Sequence, residues 1–441
     1  MHELTALLLD DMKPALGVTE PGAIAFAVAK AKSYTSGKLV RVNVAMNSGM
    51  YKNAFTCGIP GSEKSGSVYS AAFGYVAGDP DKGLESLDGM TAEENELGKK
   101  LVDEGKVTTT MSGITSRIFI EATVETENDT AVVTIRDSHT HIVSIKVNGE
   151  VVFEDGAPAE AEEMNRGDIV TGSIRPLIEN KSELLIHRYT LKQLIEYVNT
   201  VDIDEIGFIA EAFRMNMDLL RAGLESDKTT FSKYLLDKND GDLFSRDELT
   251  TAHLLCGGAI EARVIGLDRP AMSITGSGAH GIIATMPLYA AYKVSGCSEK
   301  TLLRATALSY LICTYIKEYS GKLSAFCGCA IAAGTGMACA LAYMRGGTLE
   351  DITRVINNMA ASITGMICDG GNQGCTMKGI AATDAAFRSV DFAMNDVYIY
   401  SEHSIIGKDP EETMRNIGLI AVPGMVGTEK TIVEIFEDKL S

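Results

Sequence analysis

Four cysteines lie in two glycine-rich patches, Leu323-Ser324-Ala325-Phe326-Cys327-Gly328-Cys329 and Cys368-Asp369-Gly370-Gly371-Asn372-Gln373-Gly374-Cys375. A thiolate binds soft metal ions or attacks as a nucleophile, and both roles need the sulfur deprotonated. Each patch is predicted beside a helix end, where backbone N–H groups stabilise negative charge. Glycine on both sides lets the backbone approach a bulky inorganic group, and the helical stretch between the patches can return the chain so that they meet. Spacing alone leaves two readings open. The chain lacks the tight cysteine repeats of ferredoxin clusters and the paired knuckles of structural zinc. Cysteines also serve as small residues at crowded helix crossings, which is the reading for Cys57, Cys256, Cys297, Cys313 and Cys339.

Other polar residues could meet a small ligand. Gly276-Ser277-Gly278-Ala279-His280-Gly281 formally fits G-x-G-x-x-G, but no strong strand precedes it. A glycine turn opening a helix fits better, and such a turn can hold a carboxylate, so Ser277 and His280 are candidate substrate contacts, with His280 also a candidate catalytic residue. Lys52 and Asn53 could bind a carboxylate or form part of a solvated loop. His139 and His141 are predicted on one strand face, as a metal pair or, with no third ligand nearby, as edge-strand histidines.

The elements that would position these residues show in the periodicity. Residues 1–34 read as a helix interrupted near Gly17, with Leu4, Leu7, Leu8 and Met12 on one face. Val40–Ala45 alternates like a strand, and Asn47–Asn53 is too polar for a core element. Helices are expected at Ser65–Val76 and, charged and exposed, at Ala92–Asp103. From Val107 to Phe153 the period is two, with Asn148-Gly149 a hairpin signal. Beyond about residue 185 the strand signal disappears, and helices are expected near 189–199, 205–224, 247–266, 280–294, 299–319, 327–345, 349–367, 376–394 and 411–419. The expected fold is an α+β N-terminal half with a small antiparallel sheet, residues 1–200, followed by an all-α C-terminal domain, residues 201–441.

The bulk numbers narrow the function. A formal net charge of −19 disfavours nucleic acid as a partner, because phosphate binding needs clustered Lys and Arg. No basic-then-apolar leader and no membrane-length apolar run is visible, so no membrane partner and a cytoplasmic location are expected. Nine cysteines without an export signal argue against a disulfide framework. A homo-oligomer stays open.

The run Lys13-Pro14-Ala15-Leu16-Gly17-Val18-Thr19-Glu20-Pro21 resembles the N-terminal signature of the L-cysteine desulfidase family, related to the α-subunit of iron–sulfur L-serine dehydratases. Met50-Tyr51-Lys52-Asn53-Ala54 with Gly58-Ile59-Pro60-Gly61, then Gly276–Gly281, Leu323–Cys329 and Cys368–Lys378, are similar to further family blocks, in the same order. The resemblance implies a lyase that removes the β-group of L-cysteine or L-serine, giving pyruvate and ammonia, without pyridoxal phosphate. It implies a [4Fe–4S] cluster held by Cys327, Cys368 and Cys375, with Cys329 the alternative to Cys327 and one iron open to substrate. It also implies that one histidine of the His139/His141 pair, taken as His141, lies near substrate. One position departs: the family's catalytic cysteine is replaced by Val18, which neither titrates nor binds iron. A changed substrate, a lost activity, or a non-catalytic binding protein on the same fold are the alternatives that Val18 raises.

Overall fold

In this computed structural model, which describes residues 1–115, 117–155, 184–321 and 323–439, the period-two segment builds the larger of two sheets. The strands are β1 (Lys13–Leu16), β2 (Leu39–Asn47), β3 (Val107–Gly113), β4 (Phe119–Thr126), β5 (Thr130–Arg136), β6 (Ile142–Val147), β7 (Glu150–Glu154) and β8 (Pro270–Ser273). The six-stranded sheet runs β3-β2-β4-β5-β6-β7, with β2 and β3 parallel and the other pairs antiparallel. Alternation on β4 buries Ile120, Ala122 and Val124 and leaves Glu121, Thr123 and Glu125 half-buried, so one face of the sheet is its core face. That face is covered by α2 (Thr19–Lys32), which follows α1 (Glu3–Asp11). Helix α2 is buried nearly all round because a second layer lies behind it. Close approach there needs a glycine: a Cβ on Gly74 would sit 2.6 Å from the Ala25 Cα.

Apart from single turns such as Ile203–Ile206, the remaining helices are α3 (Ser48–Ala54), α4 (Ser67–Val76), α5 (Ala92–Asp103), α6 (Leu191–Thr200), α7 (Ala210–Glu225), α8 (Phe231–Lys238), α9 (Glu248–Val264), α10 (Gly278–Ser295), α11 (Glu299–Ser320), α12 (Gly334–Met344), α13 (Leu349–Ile363), α14 (Gly374–Ala393), α15 (Pro410–Leu419) and α16 (Val426–Asp438). The C-terminal part is thus mostly helical, as the patterning leads one to expect. Its core is apolar and small-residue rich, with α9, α10, α11, α12 and α14 packed on one another. Among the described residues no helix is long and apolar enough to cross a membrane.

Three expectations need correction. Asn47–Asn53 is not a solvated loop: Ser48–Ala54 form a buried helix, because its lysine finds a counter-charge far along the chain. Strand structure does not end near residue 185, since β8 pairs antiparallel with β1, from Lys13 opposite Ser273 to Leu16 opposite Pro270. That small sheet brings the residues after Leu16 beside the turn that opens α10. His139 and His141 do not share a strand face; they lie in the turn between β5 and β6. Helices α8 and α16 had no counterpart in the sequence reading.

Candidate functional site

The two cysteine patches meet through backbone. Phe326 and Ile367 form an isolated antiparallel bridge. Cys327 donates its N–H to Met366 O at 3.0 Å, and Cys368 donates to Ala325 O at 2.6 Å. Cys329 opens a π-helical turn, Cys329–Ala333, that leads into α12; such turns widen the backbone and recur at functional sites. Cys375 lies in the first turn of α14, its thiol donating to Gly370 O at 3.4 Å.

The thiols feel one another. Burial pushes the Cys375 thiol up to about 12, and Cys368 and Cys327 add to that rise. Cys368 is also raised, first by burial, with Cys327 adding to it and Lys52 and Lys378 opposing it. Cys327 is raised well above the ordinary thiol value by its hydrogen bond with Cys329 and then by burial. Lys378, paired with Asp369, and Lys52, paired with Glu429, are cations that face this group. Among the described residues no three His, Cys, Asp or Glu side chains gather tightly enough to hold a single metal ion.

The N-terminal signature packs against the second cysteine loop. Val18 is buried, and a Cβ on Gly371 would lie 2.8 Å from its Cγ1. Two residues on, the Glu20 carboxylate accepts from Thr19 at 3.1 Å and from Asn53 at 2.9 Å. Asn53 in turn accepts from the Cys368 thiol at 3.8 Å, so the chain Glu20–Asn53–Cys368 is continuous. Burial alone would raise the Glu20 carboxyl, but His139, Asn53 and Arg263 outweigh it and hold the group at about 2. His139 lies 3.8 Å from Glu20, and its buried Nε2 has no hydrogen-bond partner.

Lys52 is placed differently from the sequence expectation. Its ammonium donates to Glu429 of α16 at 2.7 Å and to Ser324 O at 3.0 Å, fully out of solvent. It therefore holds α3 and α16 to the first cysteine loop and is not turned toward a ligand. His141 is also placed elsewhere, bonded to Asp155 at 2.6 Å and part exposed; it is His139 that the turn delivers to Glu20. His280 is buried on α10 with its Nδ1 hydrogen-bonded to Thr275. A Cβ on Gly328 would sit 2.8 Å from the His280 Nε2, which places this imidazole against the first cysteine loop. Burial, then Lys317 and Arg263, push His280 down to about 3, so it is neutral at ordinary pH. Ser277 precedes α10 half-buried, and its hydroxyl makes no hydrogen bond among the described residues.

Two further residues lie close to this group: Cys57, which the sequence places in the core, and Arg263, which it does not single out. Cys57 is fully buried, with its thiol raised by burial and by the nearby Glu20 and Cys375. Arg263, in the last turn of α9, is 4% exposed, and its side chain fills the space where a Cβ on Gly278 would lie, 2.6 Å from Nε. Two charged residues, Glu261 and Arg263, inside the apolar stretch Ala259–Val264 were the signal available. Behind the second cysteine loop a cleft of about 540 Å³ opens between Gly58–Ser65 and Asn372–Gly374.

Thiols in a group, an ionised buried carboxylate and a buried guanidinium, all delivered by loops and helix ends, mark this region as the candidate site. The chain belongs to the serine dehydratase alpha chain family, whose model matches residues 81–434. It is similar over nearly its whole length to UPF0597 proteins. The one from Clostridium botulinum is 38% identical over 429 residues, covering 97% of each chain. Those of Caldanaerobacter subterraneus and Clostridioides difficile are 34% identical over 438 residues and 33% over 433. They cover 99% and 98% of this chain and 98% of each relative. A dehydratase-related enzyme is the coarse functional reading that membership supports.

Proposed function

We propose that the protein is a β-eliminating lyase for L-cysteine or L-serine, with a [4Fe–4S] cluster held by Cys327, Cys368 and Cys375. The observation that carries this reading is the Phe326–Ile367 bridge, which joins two glycine-flanked cysteine loops that the sequence keeps about 40 residues apart. The donor set fits such a group. Three cysteine thiolates are ordinary ligands of such a cluster, and Cys327 adds to the rise of both the Cys368 and the Cys375 thiol, so the three lie within electrostatic reach of one another. Gly328, Gly370 and Gly371 have no room for a Cβ, so both loops run close to their neighbours. Lys378 and Lys52 offset the charge of deprotonated thiols.

When bound, a cluster with an open iron supplies Lewis-acid activation of the β-thiol or β-hydroxyl. The chain's own residues do the rest. Cys327 is buried while the Cys368–Cys375 loop is half-buried, Asn53 ties Cys368 to Glu20, and neutral His280 offers an imidazole beside Gly328 as a hydrogen-bond partner. Val18 holds no proton, which favours a second reading: the same cradle serving another small hydroxy or amino acid. Anaerobically purified protein should show a broad absorption band around 400 nm and release pyruvate from cysteine or serine. Colourless, iron-free protein that releases none would reject the proposal.

A further inference from the structure

Arg263 stands out among the described residues. It is 4% exposed, yet its guanidinium makes no hydrogen bond or ion pair with any described residue, and its Nε is sealed from solvent without a partner. Buried charges are ordinarily paired, and a guanidinium is a planar five-donor fork whose natural complement is a carboxylate. The groups around it are complementary to such an anion. The guanidinium lies over Gly278, the first residue of the 18-residue helix α10, whose opening N–H groups carry partial positive charge. Ser277 stands beside it with a hydroxyl free to donate. The imidazole of His280, one turn on, is neutral and offers no competing charge. Glycine at 278 is required, because any side chain there would take the guanidinium's place.

Within electrostatic reach of this cationic corner lies the buried Glu20 carboxylate, ionised and bound by Asn53, with the Nε2 of His139 3.8 Å away. The two charges act on each other without touching: Arg263 helps to keep Glu20 ionised, but no ion pair joins them. A cation and an anion held apart beside one group of thiols match a zwitterion.

We infer that Arg263, with Ser277 and the N-terminus of α10, binds the α-carboxylate of the substrate, while Glu20 faces its α-ammonium. This rests on the lyase reading and sharpens it, because it commits the site to α-amino acids and against hydroxy acids. Arg263 and Glu20 are substrate-binding residues, and the β-group of a ligand held between them is directed to Cys368 through Asn53.

Ligand-observed NMR on anaerobically prepared protein tests this with three probes lacking a leaving group. L-Alanine carries both charged groups, propionate the carboxylate alone and ethylamine the ammonium alone. Wild-type protein should bind L-alanine more tightly than either fragment. Arg263→Gln should weaken L-alanine and propionate on the order of 10–100-fold, the worth of a charge-assisted hydrogen bond, and leave ethylamine unchanged. Glu20→Gln should weaken L-alanine and ethylamine and leave propionate unchanged. Arg263→Lys, which keeps the charge, should lose less than Arg263→Gln and guards against a folding defect. Wild-type protein that does not prefer L-alanine overturns the inference without any variant. So does an Arg263→Gln protein that binds L-alanine as well as wild type, which would make Arg263 a counter-charge to Glu20 only. The expected pattern in protein devoid of iron would leave this inference standing and sink the cluster reading.

Discussion

Replacing Glu429 by leucine strips the counter-charge from Lys52 at a place water does not reach. The two side chains are 0% and 6% exposed and 2.7 Å apart, and breaking a buried pair by removing one partner costs about 3–5 kcal/mol. One term reduces that figure. The ammonium keeps its bond to Ser324 O at 3.0 Å, worth about 1 kcal/mol. Glu429 Oε1 is already buried without a partner, so its loss strands no donor. Glu429→Leu should therefore destabilise by roughly 2–4 kcal/mol. Lys52→Met with Glu429→Leu removes both charges and strands only the Ser324 carbonyl, so the double variant should lose about 1–2 kcal/mol. The difference is a coupling energy that a double-mutant cycle reads from urea-denaturation midpoints and slopes. A single variant within about 0.5 kcal/mol of wild type, or a double variant less stable than both singles, would refute the buried-pair reasoning. The perturbation also reaches the site, because Lys52 is the first cation opposing the rise of the Cys368 thiol.

His280 and Glu20 both make stability fall with acid. His280 is held at about 3 against an ordinary 6.5, and Glu20 at about 2 against 4.5, so the unfolded chain binds each proton first. Stability should drop as pH falls from 6.5 toward 3 through His280, and from 4.5 toward 2 through Glu20; His280→Gln should flatten the first window in pH-resolved denaturation, and an unchanged slope would contradict this. Val18→Cys should raise sulfide release from cysteine by the roughly 10²–10⁴-fold of a general base, and no change in protein that binds cysteine would point to another substrate. Gly371→Ala, whose Cβ would meet Val18 Cγ1 at 2.8 Å, should lower turnover while far-ultraviolet circular dichroism stays the same; full activity would show that the loop yields there.

Local pattern made part of this legible. The period-two run exposed β4 and its neighbours because one face is buried, and the glycine-flanked cysteines stood out by composition. What failed depends on partners distant in sequence. Lys52-Asn53 looks solvated because the counter-charge, Glu429, is 377 positions away. Strand β8 is too short to announce itself, and its existence depends on β1. His139 and His141 were assigned together to a strand, yet one turn separates their fates, one toward Glu20 and the other toward Asp155. Arg263 carries no motif; its meaning lies in having no partner, which only the packed structure reveals.

Iron and acid-labile sulfide per chain, determined on anaerobically purified protein, test the central claim most directly. Wild-type protein should carry about four of each, and serine at Cys368 or Cys375 should remove most of both, with Cys327→Ser against Cys329→Ser deciding the third ligand. Trace iron in folded wild-type protein, or full iron in the Cys368→Ser and Cys375→Ser proteins, would contradict it.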